Sequence, residues 1–125
     1  MVLEFIFVGL GGFLGSIGRF TLTKITVHFG ILFPLGTLLS NAIAGILVGL
    51  IFALEKELPL SQGQILFLRT GFLGGLSTFS AFSLETVRFY QSGALGLALL
   101  NMVLNLVLSL AGVFLGQALA AHLRS

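Results

Sequence analysis

The sequence has 125 residues, of which 57% are hydrophobic and 8% are charged, whereas a soluble domain carries about 25% charged residues. So few charges cannot cover a surface that faces water on all sides, and this excludes a water-soluble globular domain. Six Lys and Arg residues against four Asp and Glu residues give a net charge of +2, too little for the basic face of a nucleic-acid-binding protein. The absence of cysteine excludes disulfides and thiolate metal sites.

Four transmembrane helices are the predicted elements, because a span needs about 20 mostly apolar residues and the chain has room for four. We expect them at residues 2–22, 34–54, 65–90 and 94–121, in a single domain that covers residues 1–125. The first apolar run has Glu4 in place of a basic segment and no small-x-small cleavage site, which indicates a span and not a removable signal peptide. The predicted fold class is therefore an all-α integral membrane protein.

The basic residues divide evenly between the two predicted sides of the bilayer. The three on the side of the termini are Lys56, Arg69 and Arg124. The three on the opposite side are Arg19, Lys24 and Arg88. Because the Lys and Arg bias sets orientation, this balance predicts insertion in both orientations. In the alternative, Arg19 or Arg69 lies too deep to count, and a weak bias is left.

Small residues recur at a spacing of four in three of the spans, among 17 glycines in total. Such residues allow helix backbones to approach closely in lipid. The pairs predicted to pack in this way are Gly11/Gly15, Gly12/Ser16, Gly45/Gly49 and Gly112/Gly116.

The third span has an unusual centre, residues 70–78, with three glycines and the pair Ser77–Thr78. Each glycine inside a helix costs about 1 kcal/mol relative to alanine. Gly74–Gly75 followed by Ser77–Thr78 therefore predicts an interruption of the third helix at mid-membrane. Broken helices are tolerated there only where the free backbone groups are buried in protein or line a cavity, as they do at ion sites. The alternative is a kink or a close helix crossing.

Aromatic and amide side chains near this interruption point to an anion pathway. Phe79 and Phe82 share a helix face, and the electropositive edge of an aromatic ring can favour an anion. Neutral polar groups lie at depth in spans two and four, namely Asn41 and the i, i+4, i+8 stripe of Asn101, Asn105 and Ser109. Polar groups in the bilayer face a partner helix or a water-filled path, so hydrogen bonding between helices is the alternative interpretation.

Two function classes lack the residues that they need. No span has an Asp or Glu at mid-depth, whereas a proton-coupled exporter normally has a buried carboxylate to titrate. There is also no Ser/His/Asp or metal-ligand cluster, which argues against an enzyme. The groups that remain to line a pathway through the membrane are amides, hydroxyls, ring edges and backbone. These groups favour passive conduction of a small anion.

Three motifs in order resemble those of the Fluc/CrcB fluoride channels over essentially the whole chain. They are residues 11–20 (GGFLGSIGRF), residues 36–41 (GTLLSN) with Gly45, and residues 71–83 (GFLGGLSTFSAFS) with Glu85. The resemblance implies an antiparallel, dual-topology homodimer with two pores, which exports fluoride passively from the cytoplasm through the inner membrane of a bacterium.

The resemblance also implies roles for individual residues. The implied pore residues are Asn41, Phe79, Ser80, Phe82, Asn101, Asn105 and Ser109, with Phe79 and Phe82 as the family's phenylalanine box. Arg19 and Glu85 would be the charged vestibule residues, although membrane-interface anchors are an equal alternative. The backbone carbonyls of Gly74 and Ser77 would hold a structural sodium ion at the dimer interface. The notable differences are Ser77–Thr78 in place of the family's Thr-Thr, and Asn101 at a position that is often an aromatic or polar residue.

Two other functions compete with a fluoride channel. A small dual-topology exporter of cationic drugs has the same length and number of spans, but the mid-depth carboxylate that it needs in span one is missing. The other competitor is an assembly subunit that transports nothing.

Overall fold

The computed structural model describes residues 1–125 as a bundle of five helices without strands. The helices are α1 (Val2–His28), α2 (Leu35–Leu54), α3 (residues 62–76), α4 (Phe79–Gln91) and α5 (Leu95–Arg124). Helices α3 and α4 together form one segment, so four segments are long and apolar enough to cross a membrane, with mean hydropathies from 1.3 to 2.2. The prediction of an all-helical chain with four such segments is confirmed.

Helix α1 continues to His28, six residues beyond its predicted end at residue 22. Its last turns are polar, but their hydroxyls are bonded within the helix, as Thr21 and Thr23 donate to carbonyl oxygens one turn earlier. Lys24 lies over the ring of Phe20, 5.6 Å from its centroid. The polar residues thus end the apolar stretch without ending the helix, and the chain turns only at Gly30, which has a φ of +72°.

Helices α2 and α5 pack closely along two glycine pairs. A methyl group added to Gly45 would lie 2.6 Å from the carbonyl oxygen of Ser109, and one added to Gly112 would lie 3.0 Å from that of Ala42. Gly49 and Gly116 meet backbone oxygens of the opposite helix at still closer approach. Both predicted small-residue pairs in these helices therefore form the contact between them.

The two small-residue pairs of α1, Gly11/Gly15 and Gly12/Ser16, pack against glycines and backbone atoms of α3. Gly11 and Gly15 face backbone oxygens of α3, and a methyl group on Gly75 would lie 2.6 Å from the carbonyl oxygen of Gly12. Gly71 meets the carbonyl oxygen of Val8 in the same way, at 2.7 Å. Two of the three glycines of the third span are thus used for packing against α1, as the alternative of a close helix crossing requires.

Helix α3 changes its winding along its length. It begins with a capping box, in which Ser61 Oγ accepts from the N–H of Gln64 and Gln64 Oε1 accepts from the N–H of Ser61. The segment Leu66–Leu73 is π-helical, and Gly74–Leu76 returns to α geometry. The sequence pattern did not indicate this π segment, a type of distortion that is frequent at functional sites.

Ser77 and Thr78 separate α3 from α4 with extended torsion angles, φ −82° and ψ 152° for Ser77, and φ −154° and ψ 124° for Thr78. The sequence predicts an interruption between Gly74 and Thr78, whereas in the structure only Ser77 and Thr78 are extended. Gly74 and Gly75 remain helical, and Gly75 packs against Gly12 of α1.

Candidate functional site

Asn41 of α2 binds the extended backbone of Thr78 on both sides. Its Nδ2 donates to the carbonyl oxygen of Thr78 at 3.1 Å, and the N–H of Thr78 donates to its Oδ1 at 2.7 Å. In a continuous α-helix that N–H would donate to the carbonyl of Gly74, four residues earlier. Asn41 therefore replaces the helical partner of Thr78, while the Thr78 hydroxyl caps α4 by accepting from the N–H of Ala81 at 3.2 Å.

A chain of amides continues from Asn41 into α5. Asn41 Nδ2 also donates to Asn105 Oδ1 at 2.9 Å, and Asn105 Nδ2 donates to Asn101 Oδ1 at 3.0 Å. Asn101 Nδ2 donates to the hydroxyl of Thr86 at 3.0 Å. Asn101 and Asn105 are 0% and 3% exposed. The structure thus brings the three predicted asparagines together as links between helices, and it adds Thr86, which the sequence analysis missed.

The amide donors of this chain are occupied within the protein. Asn41 Nδ2 has two N–H groups, used by Thr78 and Asn105, and both N–H groups of Asn105 go to Asn101. Ser109 completes the predicted stripe, one turn beyond Asn105, and lines the cavities described next. Among Asn101, Asn105 and Ser109, it is therefore Ser109 that is best placed to donate a hydrogen bond to an ion or a water molecule in these cavities.

Two adjoining cavities form an open groove beside Thr78, with volumes of about 340 and 490 Å³. The first extends from the shared region to Arg69, and the second extends to Phe79 and Phe82. Their shared residues are Asn41, Gly74, Ser77, Ser109 and Leu110. These two cavities are called the groove below.

The phenylalanine pair lies at one end of the groove. The rings of Phe79 and Phe82 meet edge to face, with centroids 5.0 Å apart and planes at 74°. Phe79 is 73% exposed, whereas Phe82 is 6% exposed. The exposed ring of Phe79 therefore borders the open groove, where lipid or another chain could cover it.

Gly74 and Ser77 lie where the two cavities meet. A methyl group on Gly74 would contact nothing within 4 Å, so this glycine borders open space. Its carbonyl lacks the usual helical donor, because the N–H of Thr78 donates to Asn41 instead. The Ser77 hydroxyl donates to the carbonyl of Leu73 at 2.8 Å, which leaves the backbone of Ser77 as the part that can face the groove.

Arg19 and Glu85, the predicted vestibule residues, do not line the groove of the single chain. Arg19 Nε donates to the carbonyl oxygen of Gly75 at 3.2 Å, close to the end of α3. Glu85 Oε2 accepts from the Thr37 hydroxyl at 2.6 Å, while its Oε1 is buried without a partner. Both residues thus make specific contacts between helices, in addition to any role at the mouth of a pore. Ser80 lies within 3.2 Å of the Thr78 hydroxyl, at the start of α4.

No group of three His, Cys, Asp or Glu side chains could hold a metal ion in this structure.

Comparison with known proteins assigns the chain to a family. The family model described as "CrcB-like protein, Camphor Resistance (CrcB)" matches residues 6–117. The protein named fluoride-specific ion channel FluC from Clostridium perfringens is 44% identical over 116 residues, which are 90% of this chain and 90% of the relative. Its namesake from Shewanella woodyi is 44% identical over 115 residues, 91% of this chain and 93% of the relative.

A protein of the same name from Opitutus terrae is 39% identical over 129 aligned positions, 97% of this chain and 95% of the relative. These names describe an ion channel, which agrees with the prediction that the protein is not an enzyme. Together with the four apolar segments, they establish a multi-pass membrane protein. The resemblance drawn from the three motifs is confirmed, and this chain belongs to the CrcB-like family.

Proposed function

We propose that the protein is a fluoride-selective channel that lets fluoride leave a bacterial cell passively across the inner membrane. The observation that carries the proposal is the groove, which joins an edge-to-face phenylalanine pair to an interrupted helix. It occurs in a chain 44% identical to proteins named fluoride-specific ion channels. Ring edges and hydroxyls suit an anion without placing a full positive charge in the path.

The ion would pass the groove in contact with a few neutral groups. The ring edges of Phe79 and Phe82 would face it, and the hydroxyls of Ser80 and Ser109 would donate hydrogen bonds to it. Asn41 would act at the same place by holding Thr78, since its donors are already engaged. Asn101 and Asn105 would extend this support into α5, and Arg19 and Glu85 would lie at the vestibules.

A second copy would have to close the groove, because the groove is open along its side and one ring of the pair is exposed. We propose an antiparallel homodimer in which each copy covers the groove of the other and two pathways result. The even division of the basic residues supports insertion in both orientations. An interruption at mid-membrane would bring the two copies of Ser77 and Thr78 together near a two-fold axis.

A sodium ion on that axis would complete the dimer. The carbonyls of Gly74 and Ser77 from both copies would offer four oxygens, and oxygen ligands suit a hard cation. The lost helical donor of the Gly74 carbonyl supports this proposal. When bound, the ion would neutralise these carbonyl dipoles, and its role would be structural.

Fluoride release from liposomes tests the function. Purified protein is placed in vesicles loaded with potassium fluoride. A potassium carrier is then added, so that potassium leaves with fluoride and no membrane potential builds up. External fluoride is measured with an electrode. We expect rapid release of fluoride and none of chloride in matched vesicles. Equal release of both ions would contradict selectivity, and no release would favour an assembly subunit.

Uptake of a cationic dye into vesicles, driven by a pH gradient, distinguishes a drug exporter from a fluoride channel. The acidic residue of α1 is Glu4, in its first turn, so no buried carboxylate of that helix is available to couple protons. We therefore expect no uptake, and proton-driven uptake would favour the exporter.

A further inference from the structure

Arg69 of α3 connects the groove with the end of the bundle. It lines the cavity that meets Asn41, Gly74 and Ser77, at the side away from Phe79. It also lines a separate cavity of about 340 Å³ near the connection between α2 and α3. Arg69 is the residue that these two cavities have in common. Arg69 therefore lies between the groove and this end of the protein.

The charge of Arg69 is held by a carboxylate. Arg69 Nη1 donates to Glu55 Oε2 in an ion pair, and the two side chains are 34% and 33% exposed. Glu55 follows the last residue of α2 and lines the outer cavity, but not the groove. Of the two members of the ion pair, Arg69 lines both the groove and the outer cavity, whereas Glu55 lines only the outer cavity.

This asymmetry has an electrostatic consequence. A fixed cation in a cleft with low-dielectric walls raises the local concentration of anions and their rate of entry. A carboxylate bonded to that cation lowers the attraction, because the pair presents a dipole in place of a net charge. Arg69 is still the only member of the pair that lines the groove.

We infer that Arg69 forms an entry site for small monovalent anions at the end of the groove, and that Glu55 limits the strength of this site. The inference rests on the proposed function, in which fluoride is the anion that moves through the groove. It assigns the two members of one ion pair opposite effects on the rate. A merely structural ion pair would give the same effect whichever member is removed.

A second ion pair at the same end of the bundle supplies matched controls. Arg124 Nη2 lies 2.9 Å from Glu57 Oε1, and Arg124 also donates to the carbonyl oxygen of Ala53. Neither Arg124 nor Glu57 lines the groove. Arg124→Gln and Glu57→Gln therefore change the same charges at the same end without changing the groove.

The experiment compares fluoride release by the full-length wild type, Arg69→Gln, Glu55→Gln, Arg69→Lys and the two controls. Release is measured at about 10 mM and about 1 M ionic strength, where the screening lengths are roughly 30 and 3 Å. At the lower ionic strength we expect Arg69→Gln to slow release about three- to tenfold and Glu55→Gln to accelerate it about two- to fivefold. Arg69→Lys should recover most of the lost rate, and the controls should match the wild type.

Three outcomes would overturn the inference while leaving the proposed function intact. The first is slower release in both Arg69→Gln and Glu55→Gln, and the second is the wild-type rate in both. The third is an effect of the same size in the control pair. If Arg69→Gln does not fold, the sign for Glu55→Gln decides, because a rate at or below wild type contradicts the inference. A wild type that releases no fluoride would contradict the proposed function, and the inference with it.

Discussion

Asn41 and Thr78 lie 37 residues apart and exchange two hydrogen bonds, one in each direction, at 3.1 and 2.7 Å. This exchange gives the backbone of an extended residue the partners that a helix would otherwise provide. In lipid an unmet backbone group costs several kcal/mol. The contact between these two residues is therefore what allows α3 to end and α4 to begin inside one apolar segment.

Replacement of Asn41 by aspartate should remove this support. A carboxylate can accept from the N–H of Thr78 but cannot donate to the Thr78 carbonyl or to Asn105 Oδ1. We expect a loss of about 2–4 kcal/mol in stability, from two buried acceptors left without donors, and impaired fluoride release. Thermal unfolding in detergent and liposome release measure the two effects. Ser83→Ala is the control, because Ser83 is half-buried and its hydroxyl donates to a carbonyl of its own helix. Normal release by stable Asn41→Asp protein would remove Asn41 from the site.

Phe79→Ile and Phe82→Ile test the ring edges. Isoleucine keeps much of the apolar volume and loses the electropositive edge, so we expect both variants to release fluoride at least tenfold more slowly as intact dimers. Only Phe82→Ile should also lower the unfolding temperature, because Phe82 is buried and Phe79 is exposed. Phe114→Ile serves as control, since Phe114 is 72% exposed and does not line the groove. If both variants released fluoride at the wild-type rate, Phe79 and Phe82 would have a role in packing and not in ion passage.

Gly116→Ala should destabilise the contact between α2 and α5. The added methyl group would overlap the carbonyl oxygen of Ile46, and such overpacking costs about 1–3 kcal/mol. Gly96→Ala lies in the same helix with nothing within 4 Å of the new methyl group, and it should stabilise the helix by up to about 1 kcal/mol. Thermal unfolding of the two variants decides. Equal stability would show that the two helices are not held by this close approach.

Mixed topology should be visible in cells. A reporter fused after Ser125 is expected on both sides of the membrane in similar amounts, because the basic residues do not favour either side. Two added lysines near the C-terminus provide a control that should shift the distribution. A single orientation in the wild type would contradict the antiparallel dimer.

The proposed sodium ion should appear as one density peak on the dimer axis. Four carbonyl oxygens, from Gly74 and Ser77 of both copies, are expected at contact distance. Purification without sodium should lower the stability of the proposed dimer, and sodium should restore it. We expect less restoration by potassium if the four proposed oxygens fit the smaller ion. Gly9→Ala, in the first half of α1 with nothing within 4 Å of the new methyl group, should leave this sodium dependence unchanged. An axis filled by side chains would show that the prediction is wrong.

Much of the architecture was predictable from the sequence because its signals are local. Apolar runs of about 20 residues predict spans, and small residues at a spacing of four predict the faces on which helices pack. Gly45 and Gly112 lie on such faces, in contact with the opposite backbones. The polar spacing of Asn101 and Asn105 likewise predicts a shared face, and both side chains are buried there.

Other features depended on contacts between residues far apart in the chain. Nothing in residues 66–73 distinguishes a π-helical segment from an α-helical one, and the extended residues could be located only approximately from the glycines. Gly75 and Ser77 illustrate the reason, since the first is packed against Gly12 and stays helical while the second begins the extended segment. The neighbouring helix decides this difference, and local propensity does not.

The sequence by itself determined that the chain crosses a membrane with four segments, that its helices meet through glycine, and which family it resembles. These properties follow from composition, periodicity and short motifs, each of which is encoded over a few neighbouring residues. Only the tertiary structure decided that Asn41 binds Thr78, that the three asparagines bond to one another, and that Arg69 lines both the groove and the outer cavity. Hydrogen bonds and cavities of this kind arise from side chains on different helices, whose distances are set only when the helices pack.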